Sequence, residues 1–304
     1  MQLKFCLLDA DYEIKDRPIV KLIGVNEKGD SVLILDKNFR PYFYVSANKK
    51  AEKILKKNKM VTGIEHTKKR LGIKEVPVLK VFVDLPQNTS LVRDAVKKHA
   101  ECYEYNINFY RRYLIDKNFY PLDWIEITGE PQQMSGFDHC IKAERLKRMT
   151  SKASSGISKT PKLKILAFDL EVVDNKIIMA SFAGRNFKKL ITYKKTKNSH
   201  IVKNEKDLIE EFIKTVNEYD PDIIVGYNSD EFDFEILRSR ADEYKIELRI
   251  GRDNKPMKFA RRVKSSSARI TGRVHIDLFA YVNNLMAQQL QSEVFTLNEV
   301  AKEL

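Results

Sequence analysis

Cysteine is scarce in this sequence: Cys6, Cys102 and Cys140 are the only three among 304 residues. Their number is odd, they lie far apart and no CxxC pair occurs, which excludes a disulfide framework and a thiolate zinc site. Long apolar runs are missing too. No stretch approaches the roughly 18–20 residues that a membrane-spanning helix needs. The opening MQLKFCLLDADY breaks its apolar run with acids and does not read as a signal peptide. These absences place the protein in the cytoplasm, with no membrane partner. No internal repeat stands out, which sets solenoids and propellers aside. Acids are also in deficit, 42 against 55 Lys plus Arg, for a net charge of +13. A surplus of that size suits a polyanionic partner, nucleic acid being the commonest.

With 43% apolar and 32% charged residues, the chain is long enough for two domains with separate cores. IVKLIGV (19–25) and SVLILD (31–36) flank the turn-like NEKGD (26–30) and read as a hairpin. Next come a strand over PYFYV, a basic helix at 47–57, strands at 60–66 and 79–85, a helix at 90–99 and a strand at 101–106. That is β-α-β-β-α-β, the ferredoxin-like order. Modules of this order commonly bind RNA by stacking bases on sheet aromatics. Tyr42 and Tyr44 fall on one face of their strand, which ordinary sheet packing explains as well. Residues 1–135 thus read as an N-terminal domain.

Residues 136–162 read as a basic linker or insert. Lys142, Arg145, Lys147, Arg148, Lys152, Lys159, Lys162 and Lys164 are opposed only by Glu144, and TSKASSGISKTP (150–161) has no apolar period. From 163 the pattern becomes α/β. LKILAFDLEVV (163–173), KIIMASFAG (176–184) and KKLITY (188–193) read as strands. Asn204 is placed to cap a helix carrying Leu208, Ile209, Phe212, Ile213 and Val216 at helical spacing. PDIIVGY (221–227) is a buried strand, followed by a helix at about 231–244. The order β-β-β-α-β-α is that of ribonuclease-H-like nucleases.

Asp169 and Glu171 sit two apart on the first of these strands, so they share a face. Two carboxylates amid Leu166, Phe168 and Leu170 are costly near a core unless a cation compensates them. Their hard oxygens suit Mg²⁺ or Mn²⁺. NSDEFDFEIL (228–237) places Asp233 in the first turn of the next helix, where the helix end favours negative charge. Asn228 and Phe232 are positioned to hold a nucleotide by hydrogen bonding and stacking. Asp230, Glu231 and Glu235 read as solvent-facing acids. A basic stretch over 249–273, with Arg249, Arg252, Arg261, Arg262, Lys264, Arg269 and Arg273, suggests a hairpin with a basic tip.

FDLEVV and GYNSDEFDFEIL resemble the first two exonuclease motifs of archaeal-type family B DNA polymerases, DxE and YNxxxFD. FRPYFYV, NINFYRRYLIDK (106–117), DPDIIVGYN (220–228), IGRD (250–253), GRVHIDLF (272–279) and TLNEVAKEL (296–304) resemble the family in the same order. The resemblance covers nearly the whole chain outside 136–162. It implies an N-terminal domain followed by a 3′→5′ proofreading exonuclease domain of the DEDD type over 163–304. Asp169, Glu171 and Asp233 would then be catalytic and metal-binding, with two Mg²⁺ or Mn²⁺ ions in the complete site. The family's fourth carboxylate belongs to a YxxxD motif beyond TLxxVA, and the sequence stops at Leu304 before it. On that basis the chain is expected to be a fragment, or one piece of a split enzyme, and a weak nuclease alone. Val172 stands where the family commonly has Thr.

The resemblance further implies contact of Arg261, Arg262 and Lys264 with DNA. It also implies a template-uracil pocket from Tyr12, Pro41, Tyr42, Pro86, Thr89, Ile107, Phe109 and Arg112. Thr89-Ser90 stands where the family commonly has Val-Pro, which makes that pocket more polar. Implied partners are single-stranded template and primer 3′ end, the remaining polymerase domains or a second polypeptide, and a sliding clamp through other parts of the enzyme. Nucleoid association follows. The alternatives are a non-catalytic DNA-binding subunit and an RNA-binding protein built on the β-α-β-β-α-β module.

Overall fold

The computed structural model describes residues 1–149, 161–262, 265–290 and 294–304, with the backbone alone at 260–262 and 265–266. These residues form two compact units. One is built on Met1–Asn26, Val32–Gln133 and the strand His139–Arg148, the other on Glu27–Ser31, Met134–Asp138 and the chain that follows residue 160.

The first unit holds β1 (Gln2–Ile14), β2 (Pro18–Asn26), β3 (Ser31–Asp36), β4 (Tyr42–Ser46), α1 (Lys49–Lys57), β5 (Val61–Leu71), β6 (Lys74–Val83), α2 (Asn88–Val96), β7 (Cys102–Tyr103), α3 (Phe109–Lys117), β8 (Trp124–Gln132) and β9 (His139–Arg148). Strands β1-β2-β3-β9-β8 close into a barrel, filled by Phe5, Val20, Leu22, Ile34, Ile125 and Ile127. Tyr113 of α3 enters that core, and its hydroxyl donates to the buried Asp36 at 2.7 Å.

Residues 42–103 take the order β-α-β-β-α-β, paired as β5-β6-β4-β7. The Asn48 side chain accepts from the Lys50 and Ala51 N–H groups and caps α1, which begins two residues later than its sequence pattern suggests. Phe43, Val45, Leu79 and Val81 pack one face of this sheet against Leu55 of α1 and Val92 of α2. Tyr42, Tyr44, Val78 and Phe82 occupy the other face.

The linker assignment fails over its first half. Residues 139–148 form β9, which pairs parallel with β3 and antiparallel with β8. Cys140, Ile141 and Ala143 are buried there. Lys142 pairs outside with Glu130 and Arg148 with Asp123. This basic outer surface is what masked the strand in the sequence. Residues 150–160 of the proposed linker lie outside the described residues.

The second unit holds β10 (Ile165–Val173), β11 (Lys176–Gly184), β12 (Phe187–Thr192), β13 (His200–Ile201), α4 (Glu205–Tyr219), β14 (Ile223–Gly226), α5 (Asp233–Glu243), β15 (Lys258–Arg262), β16 (Ser265–Arg269), β17 (Val274–Asp277), α6 (Leu278–Tyr281) and α7 (Leu297–Glu303). A six-stranded mixed sheet runs β13-β12-β11-β10-β14-β17, and β15-β16 form a separate two-stranded ribbon. Leu208, Ile209, Phe212 and Val216 of α4 and Phe234 and Leu237 of α5 bury one face over Leu166, Phe168 and Leu170. Asn204 caps α4 by accepting from the Asp207 N–H at 3.0 Å. No helix among the described residues is long and apolar enough to cross a membrane.

Candidate active site

The site is set by strand alternation. Leu166, Phe168 and Leu170 of β10 turn into the core, which sends Asp169 and Glu171 to the opposite, exposed face. β14 runs parallel beside β10 and leads through a short loop to α5. Asp233, the first residue of that helix, is only 2% exposed. Its Oδ1 accepts the Leu170 N–H at 3.1 Å, which ties it to the strand between the two exposed acids.

Burial pushes the Asp233 carboxyl up to about 7, helped by the neighbouring Asp169 charge and opposed by backbone N–H donors. Asp169, although on the exposed face, is raised as well, by partial desolvation and then by Glu171. Among the described residues, the ion pairs involve none of Asp169, Glu171, Asp233 or Asp277. The donors are all carboxylate oxygens, a set that fits a hard divalent cation. Even so, among the described residues no three His, Cys, Asp or Glu side chains are grouped closely enough to hold an ion. Asp169 and Asp233 are brought into electrostatic contact, and Glu171 shares the β10 face of Asp169. The three do not close into a cage.

Asp277 was not singled out from the sequence. It ends β17 opposite Gly226 and accepts the N–H groups of Asn228 (2.9 Å), Asp230 (3.0 Å) and Phe279 (2.9 Å). It thereby fixes the loop before α5 and adds to the upward push on Asp233. An acid ending an alternating strand just before LFAY is the signal that could have revealed it. The loop it holds carries Asn228 at φ +61°, a left-handed conformation that Asn tolerates, and Phe232, which is 46% exposed.

The expectation that Asp230 faces solvent is overturned. It accepts the Ala268 N–H at 2.7 Å and lies 3.3 Å from His275, whose other ring nitrogen meets Ser229 Oγ at 2.9 Å. Glu235 pairs with Arg238 along α5. The basic stretch also divides. Arg252 and Arg273 are buried against Asp220, and Arg252 also meets Asp222, so neither is presented to a ligand as a surface charge. Arg261 and Arg262 lie on β15, paired with Ser266 and Ser265 of β16. Lys264 lies outside the described residues.

In the first unit, Tyr12, Pro41, Tyr42, Pro86, Thr89, Ile107, Phe109 and Arg112 all line one cavity of about 260 Å³. Tyr12 and Phe109 meet edge to face at 5.4 Å. Arg112 pairs with Glu104 and lies 3.7 Å from Asp116, while its buried Nε finds no partner among the described residues. The Tyr42 hydroxyl donates to Asp116 at 2.6 Å, and burial with that carboxylate pushes the phenol well up. Thr89 is buried in the lining beside Ser90.

These two constellations sit on a chain whose residues 100–300 match the family described as DNA polymerase family B, exonuclease domain. The chain belongs to that family. It is 34% identical over 98% of its length to a DNA polymerase of Methanocaldococcus jannaschii, of which it covers 18%. It is 29% identical over 97% of its length to one of Pyrococcus glycovorans, of which it covers 36%. The family B DNA polymerase of Pyrobaculum calidifontis has a similar structure, with a TM-score of 0.83 and 26% identity over 99% of this chain and 39% of that one. The chain thus spans about a third or less of the length of the curated relatives named here. Exonuclease domains of this family are metal-dependent nucleases in general.

Proposed function

We propose that this chain carries template-binding and 3′→5′ proofreading exonuclease elements of a DNA-directed DNA polymerase. The observation that carries this reading is the uncompensated pair Asp169 and Asp233 at the strand-helix junction, with Glu171 on the same strand face. In this reading the first unit contains a ferredoxin-like module, and the second is a ribonuclease-H-like domain of the DEDD type. Residues 1–135 and 163–304 correspond to the two functions, with β9 restored to the first.

Asp169, Glu171 and Asp233 would hold Mg²⁺ or Mn²⁺. Divalent ions held there would supply an activated water and offset charge at the scissile phosphate. The chain's own residues do the positioning. The Leu170 N–H holds Asp233 in place, and Asp277 fixes the loop that presents Asn228 and Phe232 to the terminal nucleotide. The exposed Phe232 ring suits stacking on an unpaired base. Arg261, Arg262 and Lys264 are assigned to the DNA backbone. In the family's pattern the Asp of a YxxxD motif would join these three carboxylates. Template and primer strands are the nucleic-acid partners, the remaining polymerase domains or a second polypeptide the protein partners, and a sliding clamp binds elsewhere on the enzyme. The protein works in the cytoplasm at the nucleoid.

The eight-residue cavity is read as a seat for a template base such as uracil, with Thr89 and Ser90 giving it a more polar wall than the family's. A second reading, a non-catalytic DNA-binding subunit, draws on the absence of a three-carboxylate group among the described residues.

Release of 3′ mononucleotides from labelled single-stranded DNA separates these readings. The 304-residue chain is expected to cleave poorly with Mg²⁺, and a longer form with the YxxxD segment to cleave well. In that longer form Asp169→Ala is expected to lower the rate by at least on the order of 10²-fold, more than loss of a supporting residue costs. An unchanged rate would sink the assignment.

A further inference from the structure

The sheet face of the first unit that α1 and α2 leave uncovered carries four aromatic rings, Tyr42, Tyr44, Phe82 and Tyr103. Base stacking needs open rings, yet Tyr42, Tyr44 and Phe82 are only 7%, 4% and 6% exposed. Cations lie over them. The Arg40 guanidinium is 4.0 Å from the Phe82 centroid, and Lys80 Nζ is 4.0 Å from that of Tyr42 and 5.1 Å from that of Phe82. Lys69 Nζ is 4.8 Å from that of Tyr44. Arg40 and Lys69 are exposed and Lys80 is half-buried. Among the described residues none of the three forms an ion pair, Lys80 included, although Glu65 is its cross-strand neighbour.

The rings thus serve as a floor that holds cations, and the ligand such a face recognises is negative charge, not a base. Lys69 sits opposite Val76, four residues along β6 from Lys80, which spreads the charges over about 13 Å of strand. A row that long matches a chain of phosphates better than a single anion. At one end Tyr42 is shared: it lies under Lys80, also lines the eight-residue cavity, and has the Arg112 guanidinium 5.2 Å from its centroid. We infer that Arg40, Lys69 and Lys80 form a track for the phosphodiester backbone of single-stranded DNA, leading to the mouth of that cavity. The track rests on the reading of the cavity as a seat for an unpaired base, which requires a single strand there.

The test is fluorescence anisotropy of labelled dT20 with the full 304-residue chain, titrated across salt. Each cation on a single strand adds about 0.7 to the slope of log affinity against log salt. Joint replacement Arg40→Gln, Lys69→Gln and Lys80→Gln is therefore expected to flatten the slope by about 2. The control is Lys49→Gln, Lys53→Gln and Lys57→Gln, which removes as many charges from α1 on the opposite face and is expected to change the slope little. Equal flattening by both sets would overturn the track in favour of general charge, and no flattening by the first set would overturn it outright. The wild-type chain gives a second readout that no misfolded variant can confuse. Bound dT20 should protect Lys69 and Lys80, and not Lys49, Lys53 or Lys57, from acetylation, and uniform labelling would count against the track. If wild type fails to bind dT20 at low salt, the DNA-binding reading of the whole chain falls with it. If it binds steeply while the face variant is indifferent, only the track falls.

Discussion

Two groups of charge in the second unit invite comparison. Glu205 and Arg240 are almost fully buried and almost fully satisfied. Glu205 accepts from Arg240 Nε and Nη2, from the Tyr244 hydroxyl and from the Ile177 N–H, and Arg240 reaches Glu243 as well. Its partners hold the Glu205 carboxyl below the usual range despite burial. Asp233 is equally buried, but burial, the charge of Asp169 and, more weakly, that of Asp277 push its carboxyl up to about 7. The first group is complete within the chain and joins α4 to α5. The second is left with surplus negative charge at the open end of the sheet. A buried charge that the fold does not neutralise marks a place where something else is meant to bind.

Breaking the complete group should cost most. Arg240→Ala leaves Glu205 buried without its cation, and about 3–5 kcal/mol of stability is expected to be lost. Urea unfolding of the 304-residue chain measures it. A loss under about 1 kcal/mol would mean that Glu205 relaxes to solvent and that the contrast is overstated.

The incomplete group should respond in the opposite sense. The folded Asp233 carboxyl keeps its proton to about pH 7, whereas an unfolded Asp releases it near 4. The folded state therefore carries the extra proton between those values, and its stability falls as pH rises through that window, by up to about 4 kcal/mol. Asp233→Asn keeps the acceptor for the Leu170 N–H and should flatten the dependence, making the metal-free protein more stable at neutral pH. Mg²⁺ at ten times its dissociation constant should add about 1.4 kcal/mol to the wild type at pH 8 and nothing to the variant. Thermal melts across pH, with and without Mg²⁺, decide it. A wild-type profile as flat as the variant's would remove the contrast.

The smallest effect calibrates the other two. Asn204→Ala removes the α4 cap, leaves every charged side chain of both groups in place and is expected to cost about 1 kcal/mol. The pH profile should keep its shape, and a changed shape would show that α4 fraying alone perturbs the carboxylates.

Much of this was legible in the residues. Strict alternation put Asp169 and Glu171 on one face, and helical spacing placed α4 and its Asn204 cap within a few residues. Motif order brought together all eight cavity residues, which no periodicity argument could have done, since they come from four separate segments. Failures cluster where charge hides geometry. In β9 the outward Lys and Arg residues disguised a barrel strand as a linker. In 249–273 a count of basic residues did not separate Arg252 and Arg273, neutralised by Asp220 and Asp222, from charges that face solvent. Asp230 looked like a helix-start acid because its partners, Ala268 and His275, lie about 40 residues away in sequence. Asp277 escaped notice because its role is hydrogen bonding to backbone, which leaves no mark in composition.

The placement of β9 also bears on how the molecule is made. The barrel contains β1, yet β3 and β8 gain their shared neighbour only when residues 139–148 arrive. Until then a growing chain exposes two strand edges, each able to pair with another molecule. Synthesis at about 5–20 residues per second takes roughly 6–22 seconds to go from the end of β3 to the end of β9. The module between β3 and β8, whose contacts are closer in sequence, can assemble during the wait. β1 therefore belongs to the part of its unit that is finished last.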